Sequence, residues 1–378
     1  MKIVVDTRVL GRGNVSGVEE YTRHMVDALL QENTGDQYEF FSSGLSRAPL
    51  PENWIRENTS VRVWGIPNRF LDASIRLLGM PHIEPRDADV VFSPHFNALP
   101  KPRTAKRVIT FHDLSFLHFP EFYPARKRFW HWLQGYKTQA READMLVAVS
   151  EFTRRDLMSA FGLHETKVRT VYSGVNPFYR KLAPDDPKHV AMMRDWRLAR
   201  PFLLFVGTLE PRKNISGLIR AFDVVKSDPY LRELRLVIAG KRGWLCDTIF
   251  RDAARAKWKD DIIFWGEASH EELRILYNLA EAFVYPSFFE GFGFPPLEAQ
   301  ACGTSVITSN RSSLPEIVRD SALLVDPWKV GELADAIRML LKGSALKERL
   351  INKGSENVKR FTWKAAARSL RNIFSELS

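Results

Sequence analysis

The chain has 378 residues, 45% hydrophobic and 26% charged, too long for one ordinary core and suited to two folded domains rather than to disorder. No segment approaches the roughly 18 uninterrupted apolar residues of a membrane span, MKIVVDTRVLG is too brief an apolar run for a signal peptide, and two cysteines, Cys246 and Cys302, support neither a disulfide framework nor a four-ligand zinc site. The formal charge of +10 is spread over both halves, which argues against a nucleic-acid-binding domain, although residues 101–141 carry nine Lys and Arg against Asp113 and Glu121.

Short apolar runs alternate with helical patterns along the chain. IVV, YEFFSS, VRVWGI, DVVFS, RVITF and MLVAVS read as strands in the first half; FLLFVG, LRLVIAG, DIIFWG, AFVYPS, TSVITS and ALLVD read as strands in the second. This is the βαβ rhythm of doubly wound parallel sheets, run twice. After the first strand the loop GRGNVSG feeds the helix VEEYTRHMVDALL, but Gly11, Gly13 and Gly17 lack the G-x-G-x-x-G spacing of a dinucleotide fingerprint. YEFFSS also ends in serines where such a fold places an acid for the ribose. Asp87-Ala-Asp89 has the form of a metal-binding pair but precedes its strand instead of following it, so no metal site is predicted there. His112 and Asp113 leave the carboxyl end of RVITF, where they either face a ligand crevice or form a local turn in which Asp113 caps and His112 bonds it. His95, His118 and His131 form no metal pair on a helix and read as packing or surface residues. Ser150 and Gly162 bracket the helix EFTRRDLMSAF, and Ser269 with Glu272 makes a capping box before LRILYNLA. Between them, residues 175–200 lose periodicity and gather prolines, which places a domain boundary there. FTWKAAARSLRNIFSEL closes the chain as an amphipathic helix.

The run with most chemistry is EGFGFPPLE, with Glu290 and Glu298 eight positions apart. It follows the apolar strand AFVYPS. Gly291 and Gly293 allow close backbone approach, and Pro295 or Pro296 suits the first helical position, so a phosphate can sit at the helix N-terminus. Glu298, in the first turn, can then accept the hydroxyls of a ribose, while Glu290 lies nearer a reacting group. The alternative is that Glu298 only complements the helix dipole and Glu290 is a solvated loop residue. Upstream, in FVGTLEPRKN, the strand ends at Gly207 and Asn214 caps the next helix. Arg212 and Lys213 therefore stand where fixed cations can offset a diphosphate without a metal, or else form a solvated turn.

This run resembles the E-x7-E signature of retaining glycosyltransferases of the GT-B type, specifically family 4, in which FEGFGFPPLEA is a common form. VVDTRVLGRGNVSGVEEYTR, FHDLSF, VAVSEFTRRDL, FVGTLEPRKN and TSNRSSLPEI are similar to that family's other blocks, in its order, so the resemblance covers essentially the whole chain. It implies an α/β, GT-B type fold: two doubly wound parallel-sheet (Rossmann-like) domains facing an interdomain cleft. Residues 1–180 would be the acceptor domain, 181–361 the nucleotide-sugar domain, and 362–378 a helix crossing back to the first, an arrangement able to close on a ligand by a hinge. It further implies retaining transfer of a hexose from a nucleotide-sugar donor to a glycan or lipid-linked glycan, with no metal and no cofactor. FEGFGFPPLEA and SNRSSLPEI lean towards mannose from GDP-mannose. By the resemblance Glu290 holds the sugar, Glu298 the ribose, Arg212 and Lys213 the diphosphate and His112 the sugar's far edge. Gly291, Phe292 and Gly293 adjoin the donor, Ser16 and Gly17 approach the donor phosphate or the acceptor, and Asp113 lies on the acceptor side. Rival readings are a non-hydrolysing sugar-nucleotide epimerase, a glucan phosphorylase with pyridoxal phosphate, and a non-enzymatic basic module for nucleic acid.

In FPEFYPARKRFWHWLQGYK, finally, Arg126, Lys127 and Arg128 adjoin Phe129, Trp130 and Trp132. That mixture suits an amphipathic element on an anionic membrane, or a core helix with its aromatics turned inward. The chain is expected to be cytoplasmic, and the first reading adds contact with the inner membrane surface.

Overall fold

A computed structural model describes residues 1–12, 17–32, 35–44, 50–85, 87–183, 186, 198 and 200–378. The first half runs β1 (Lys2–Asp6), α1 (Gly17–Gln31), β2 (Gln37–Ser43), β3 (Thr59–Trp64), α2 (Asn68–Leu78), β4 (Val90–Ser93), β5 (Lys106–Phe111), α3 (Ser115–His118), α4 (Ala125–Leu133), α5 (Tyr136–Glu142), β6 (Met145–Ala148), α6 (Glu151–Phe161) and β7 (Val168–Thr170). The second runs β8 (Phe202–Val206), α7 (Ile215–Val225), β9 (Arg235–Ala239), α8 (Asp247–Arg255), β10 (Ile262–Gly266), α9 (His270–Leu279), β11 (Ala282–Tyr285), α10 (Phe294–Ala301), β12 (Val306–Ser309), α11 (Leu314–Val318), β13 (Leu323–Val325), α12 (Val330–Lys342), α13 (Ser344–Val358) and α14 (Trp363–Leu377).

Among the described residues the strands form two sheets, ordered β3-β2-β1-β4-β5-β6-β7 and β10-β9-β8-β11-β12-β13, with every pairing parallel. The apolar runs explain this. Strands such as β8, FLLFV, are buried along their whole length, as a sheet covered by helices on both faces requires. All twelve strands read from the sequence are present. The thirteenth, β7, is a three-residue edge strand, Val-Arg-Thr, too short and polar to give an apolar run. Local capping chemistry also appears as written. Ser150 accepts from Thr153 N at the start of α6, Gly162 ends that helix at φ +65°, and Ser269 and Glu272 close a reciprocal box on α9.

Contacts divide the chain into two compact units, the first comprising Met1–His118, Ala125–Gly174 and Phe361–Ser378, the second Phe119–Pro124 and Val175–Arg360. The proline-rich stretch expected to hold the boundary lies largely outside the described residues. In the first unit α14 packs on α1, with Trp363 stacked on His24 at 5.3 Å and Arg371 paired to Asp36 at 2.9 Å. The same unit buries an ionic network that no apolar pattern signals. Arg8 meets Asp6 at 2.8 Å and Asp72 of α2 at 3.2 Å and donates to Ala98 O, while Gln134 donates to Asp72 at 3.0 Å. In the second unit, Phe119–Pro124 packs through Trp244, whose Nε1 donates to Phe122 O at 2.7 Å, and through Phe289 against Phe119.

The basic stretch 101–141 is not one surface. Arg107 is fully buried, donating to Leu99 O and Gln139, and burial lowers its pKa to about 10. Lys106 pairs with Asp144 at 3.4 Å. In α4 no residue is fully buried, and Phe129 and Trp132 are exposed, so it is not a core helix. No helix among the described residues is long and apolar enough to cross a membrane.

Candidate active site

In the second sheet β8 and β11 are neighbours at the point where strand order reverses. Loops leaving the carboxyl ends of two such strands diverge and leave a crevice. The loop after β8 carries the turn Pro211–Lys213, and the loop after β11 carries Glu290. Glu290 is buried, and its two oxygens do different work. Oε1 accepts from Lys213 Nζ at 2.6 Å, Ser287 Oγ at 2.6 Å and Tyr285 OH at 3.0 Å, and Oε2 accepts from an Arg212 terminal nitrogen at 2.9 Å. Burial opposes ionisation, but Arg212, Lys213 and the hydrogen bonds outweigh it and hold the Glu290 pKa at about 2. Glu290 is therefore a fixed anion and not a proton donor. Burial and the neighbouring Arg212 lower Lys213, with Glu290 and Glu210 opposing them.

The cations are held from both sides. Arg212 donates through Nε and a terminal nitrogen to Glu210 Oε1, at 3.1 and 2.7 Å, and also to Phe289 O at 2.6 Å. Lys213 Nζ donates to Tyr285 OH at 2.6 Å as well as to Glu290, which leaves the third of its N–H groups. Sequence reasoning quoted Glu210 and Tyr285 only as parts of longer runs. The alternation of charge in Glu210-Pro-Arg212 is the signal that marks the first. Glu210 is buried, and its Oε2 has no hydrogen-bond partner among the described residues. Ser312 and Ser313, after β12, were likewise quoted only within TSNRSSLPEI. Ser312 Oγ accepts from Glu290 N at 2.9 Å, and Ser313 Oγ lies 2.9 Å from Glu290 O and 3.0 Å from Phe292 O.

Two expectations are corrected. Asn214 stands at the start of α7 with φ +55° but makes no side-chain cap; its amide donates to Pro327 O at 2.7 Å instead. Helix α10 begins at Phe294, with the prolines at its second and third positions, so Glu298 is the fifth residue and lies beyond the first turn. Gly293 explains the early start: it holds φ +108°, and a Cβ there would stand 2.8 Å from Leu314 Cδ2. Gly291 and Phe292 are buried in the same loop. Glu298 Oε2 accepts from Tyr277 OH at 2.9 Å, a side-chain role beyond simple dipole complement.

In the first unit His112 follows β5, and its Nε2 lies 2.8 Å from Pro94 O, which can only accept, so Nε2 carries the proton. Burial lowers its pKa, against the Pro94 bond and Asp113. Asp113 accepts from Ser115 N at 3.0 Å and Ser115 Oγ at 2.6 Å, which is the capping half of the local alternative; the bond from His112 goes elsewhere. Gly17 opens α1, exposed, and a Cβ there would meet nothing within 4 Å. Ser16 lies outside the described residues. Asp87 pairs with Lys2 Nζ at 2.8 Å and Asp89 accepts from Lys2 N at 2.7 Å, so both acids of that pair serve the start of β1. His131 stacks on Phe116 at 4.4 Å, and burial brings its pKa down to about 4; His118 pairs with Asp156 at 2.7 Å. Among the described residues no three His, Cys, Asp or Glu groups converge as metal ligands.

Two doubly wound parallel sheets in tandem, with an acid and paired cations at the reversal of the second, are those of a GT-B glycosyltransferase. The fold matches sucrose-phosphate synthase from Thermosynechococcus elongatus with a TM-score of 0.75, over 100% of this chain and 98% of that one, at 20% identity. Residues 15–177 match Glycosyltransferase Family 4 and residues 194–357 match Glycosyl transferases group 1; the chain belongs to glycosyltransferase family 4. It is 32% identical over 276 residues to O-antigen chain mannosyltransferase B of Escherichia coli, covering 73% of this chain and 71% of that protein. It is also 26% identical over 273 residues to serotype-specific mannosyltransferase WbdA of Escherichia coli, of whose length the match spans 34%.

Proposed function

We propose that the chain transfers mannose from GDP-mannose to a glycan or lipid-linked glycan, with retention at the transferred carbon and without a metal. The mannose follows from the names of the two Escherichia coli relatives. The observation that carries the chemistry is Glu290, ionised between Lys213 and Arg212 with Oε1 saturated by three donors and Oε2 taking one. A sugar hydroxyl can donate a hydrogen bond to Oε2, and the remaining N–H of Lys213 can meet a diphosphate oxygen. Arg212 and Glu298 complete the donor's binding, at the diphosphate and the ribose. The bond between sugar and phosphate breaks, the acceptor oxygen bonds to the same face, and its proton passes to the departing phosphate.

Thermal shift separates donors. A nucleotide bound to the folded state at 100 times its Kd adds about 2.7 kcal/mol of stability, so GDP and GDP-mannose should raise the melting temperature and UDP should not. NMR of the product, made in excess EDTA, should show the donor's anomeric configuration kept. An inverted product, or activity abolished by EDTA and restored by Mn²⁺, would overturn the mechanism. Donor turnover with no acceptor present would favour the epimerase.

A further inference from the structure

The first unit carries an apolar face that none of its described residues covers. On α2, Phe70 and Leu77 are seven positions apart and so share the outward side of the helix, opposite the buried Leu71, Asp72 and Ile75. Leu78 and Met80 continue the face at the end of that helix. On α4, Phe129 and Trp132 stack at 5.6 Å. These six side chains each leave between 54% and 78% of their surface uncovered. The two helices adjoin. The Arg76 guanidinium lies 5.5 Å from the Trp132 ring centroid, and Gln134, just past α4, bonds Asp72 of α2.

The exposed charges on the two helices have one sign. Arg69, Arg76, Arg126 and Arg128 are exposed, and Lys127 is half-buried between the last two. The single acid on either helix, Asp72, is buried on the opposite side against Arg8. A solvated surface ordinarily mixes both signs, whereas exposed apolar groups rimmed by cations on long aliphatic stems fit a boundary between hydrocarbon and anionic headgroups. The Trp132 indole, apolar in body with one polar N–H, suits the same depth. A second copy of this chain fits badly, because its matching face would bring the same arginines against these.

The geometry points to α2 and α4 as a docking face for an anionic phospholipid bilayer, with Phe70, Leu77, Leu78, Phe129 and Trp132 entering the headgroup boundary. Its extent differs from the segment legible in the sequence. The aromatic contribution of α4 is Phe129 and Trp132 without Trp130, which turns to Phe96, and half the face belongs to α2.

Co-sedimentation of the full chain with vesicles tests it. Binding needs no donor or acceptor, so its outcome is separate from that of the transfer assay. Vesicles of phosphatidylcholine mixed with phosphatidylglycerol should bind the protein, less so as salt is raised, and phosphatidylcholine alone should bind it weakly. Removing two large apolar groups, as Leu77→Ser with Leu78→Ser or Phe129→Ala with Trp132→Ala, should each lower the partition coefficient roughly tenfold or more. Tyr230→Ala, at an exposed aromatic of the second unit, should change nothing. All the replaced side chains are exposed, and an unchanged melting temperature checks that the variants are folded. Equal recovery of wild type and either double variant would overturn the inference. So would a wild-type dimer that stays off vesicles and becomes monomeric in Leu77→Ser with Leu78→Ser.

Discussion

Replacing Glu290 with Gln removes a charge from a place that cannot be rehydrated. The wild-type carboxyl has its pKa moved from 4.5 to about 2, which corresponds to about 3 kcal/mol of folding free energy. Because the folded pKa is depressed, that stability is fully present above the unfolded value and is lost as pH falls through the folded one. It should therefore disappear between about pH 4.5 and about pH 2. A Gln amide oxygen can replace Oε1 towards Lys213, Tyr285 and Ser287, but its NH2 then confronts the Arg212 guanidinium, donor against donor. With Lys213 and Arg212 left short of a counter-charge, the variant should lose about 3–5 kcal/mol at neutral pH. Urea unfolding of both proteins at pH 7 and at about pH 3 measures this, and the difference between them cancels the other carboxylates. The gap should narrow in acid, because below about pH 4.5 the unfolded wild type takes up a proton that folding must then expel. Adding Lys213→Met to Glu290→Gln should recover part of the loss, since it removes the buried ammonium that lost its partner. A gap of the same size at both pH values would refute the claim that ionised Glu290 neutralises the pair.

Lys213→Ala should cost roughly 1.5–3 kcal/mol in donor kcat/KM, about tenfold or more, and Glu298→Gln should act mainly on donor KM; near-wild-type kinetics in both would remove them from the site. His112, with its pKa below the ordinary 6.5 because of burial, should be mainly neutral at pH 6.5 and take its proton on Nδ1 at lower pH, with the Nε2–H bond to Pro94 O kept in both forms. NMR titration of labelled histidines, assigned with His112→Gln, checks this, and a midpoint at or above 6.5 would contradict it.

What could be read in the sequence was what neighbours along the chain determine. Apolar runs gave the strands, and Ser150, Gly162, Ser269 and Glu272 gave helix ends, because each acts on groups within four positions. Non-local geometry was not legible. The side chain of Asn214 is the kind that caps a helix, but it finds Pro327 O, 113 positions away, and leaves the cap to the backbone. Ring composition in Phe119–Pro124 says nothing of the Trp244 partner that draws this segment into the second unit. Nothing along the chain links Asp72 to Arg8 and Asp6, which lie more than 60 positions away and which the fold buries with it. For α4 the pattern allowed its aromatics to point in or out, and packing divided them, Trp130 inward and Phe129 and Trp132 outward.

The site shows the same division between identity and arrangement. Arg212, Lys213 and Glu290 were identifiable from their places after β8 and β11, and their spacing suggested two cations waiting for a diphosphate. In the structure Arg212 is ion-paired to Glu210 and Glu290, and Lys213 to Glu290, so two acids face two bases and their formal charges cancel. A diphosphate that enters the proposed site does not meet a surplus of positive charge. It meets directed N–H groups, held in place by carboxylates that have already borne their desolvation. Such a cluster stabilises a leaving group by orientation more than by net charge. In the proposed site Glu210 would act without touching substrate, by fixing the plane in which Arg212 presents its donors.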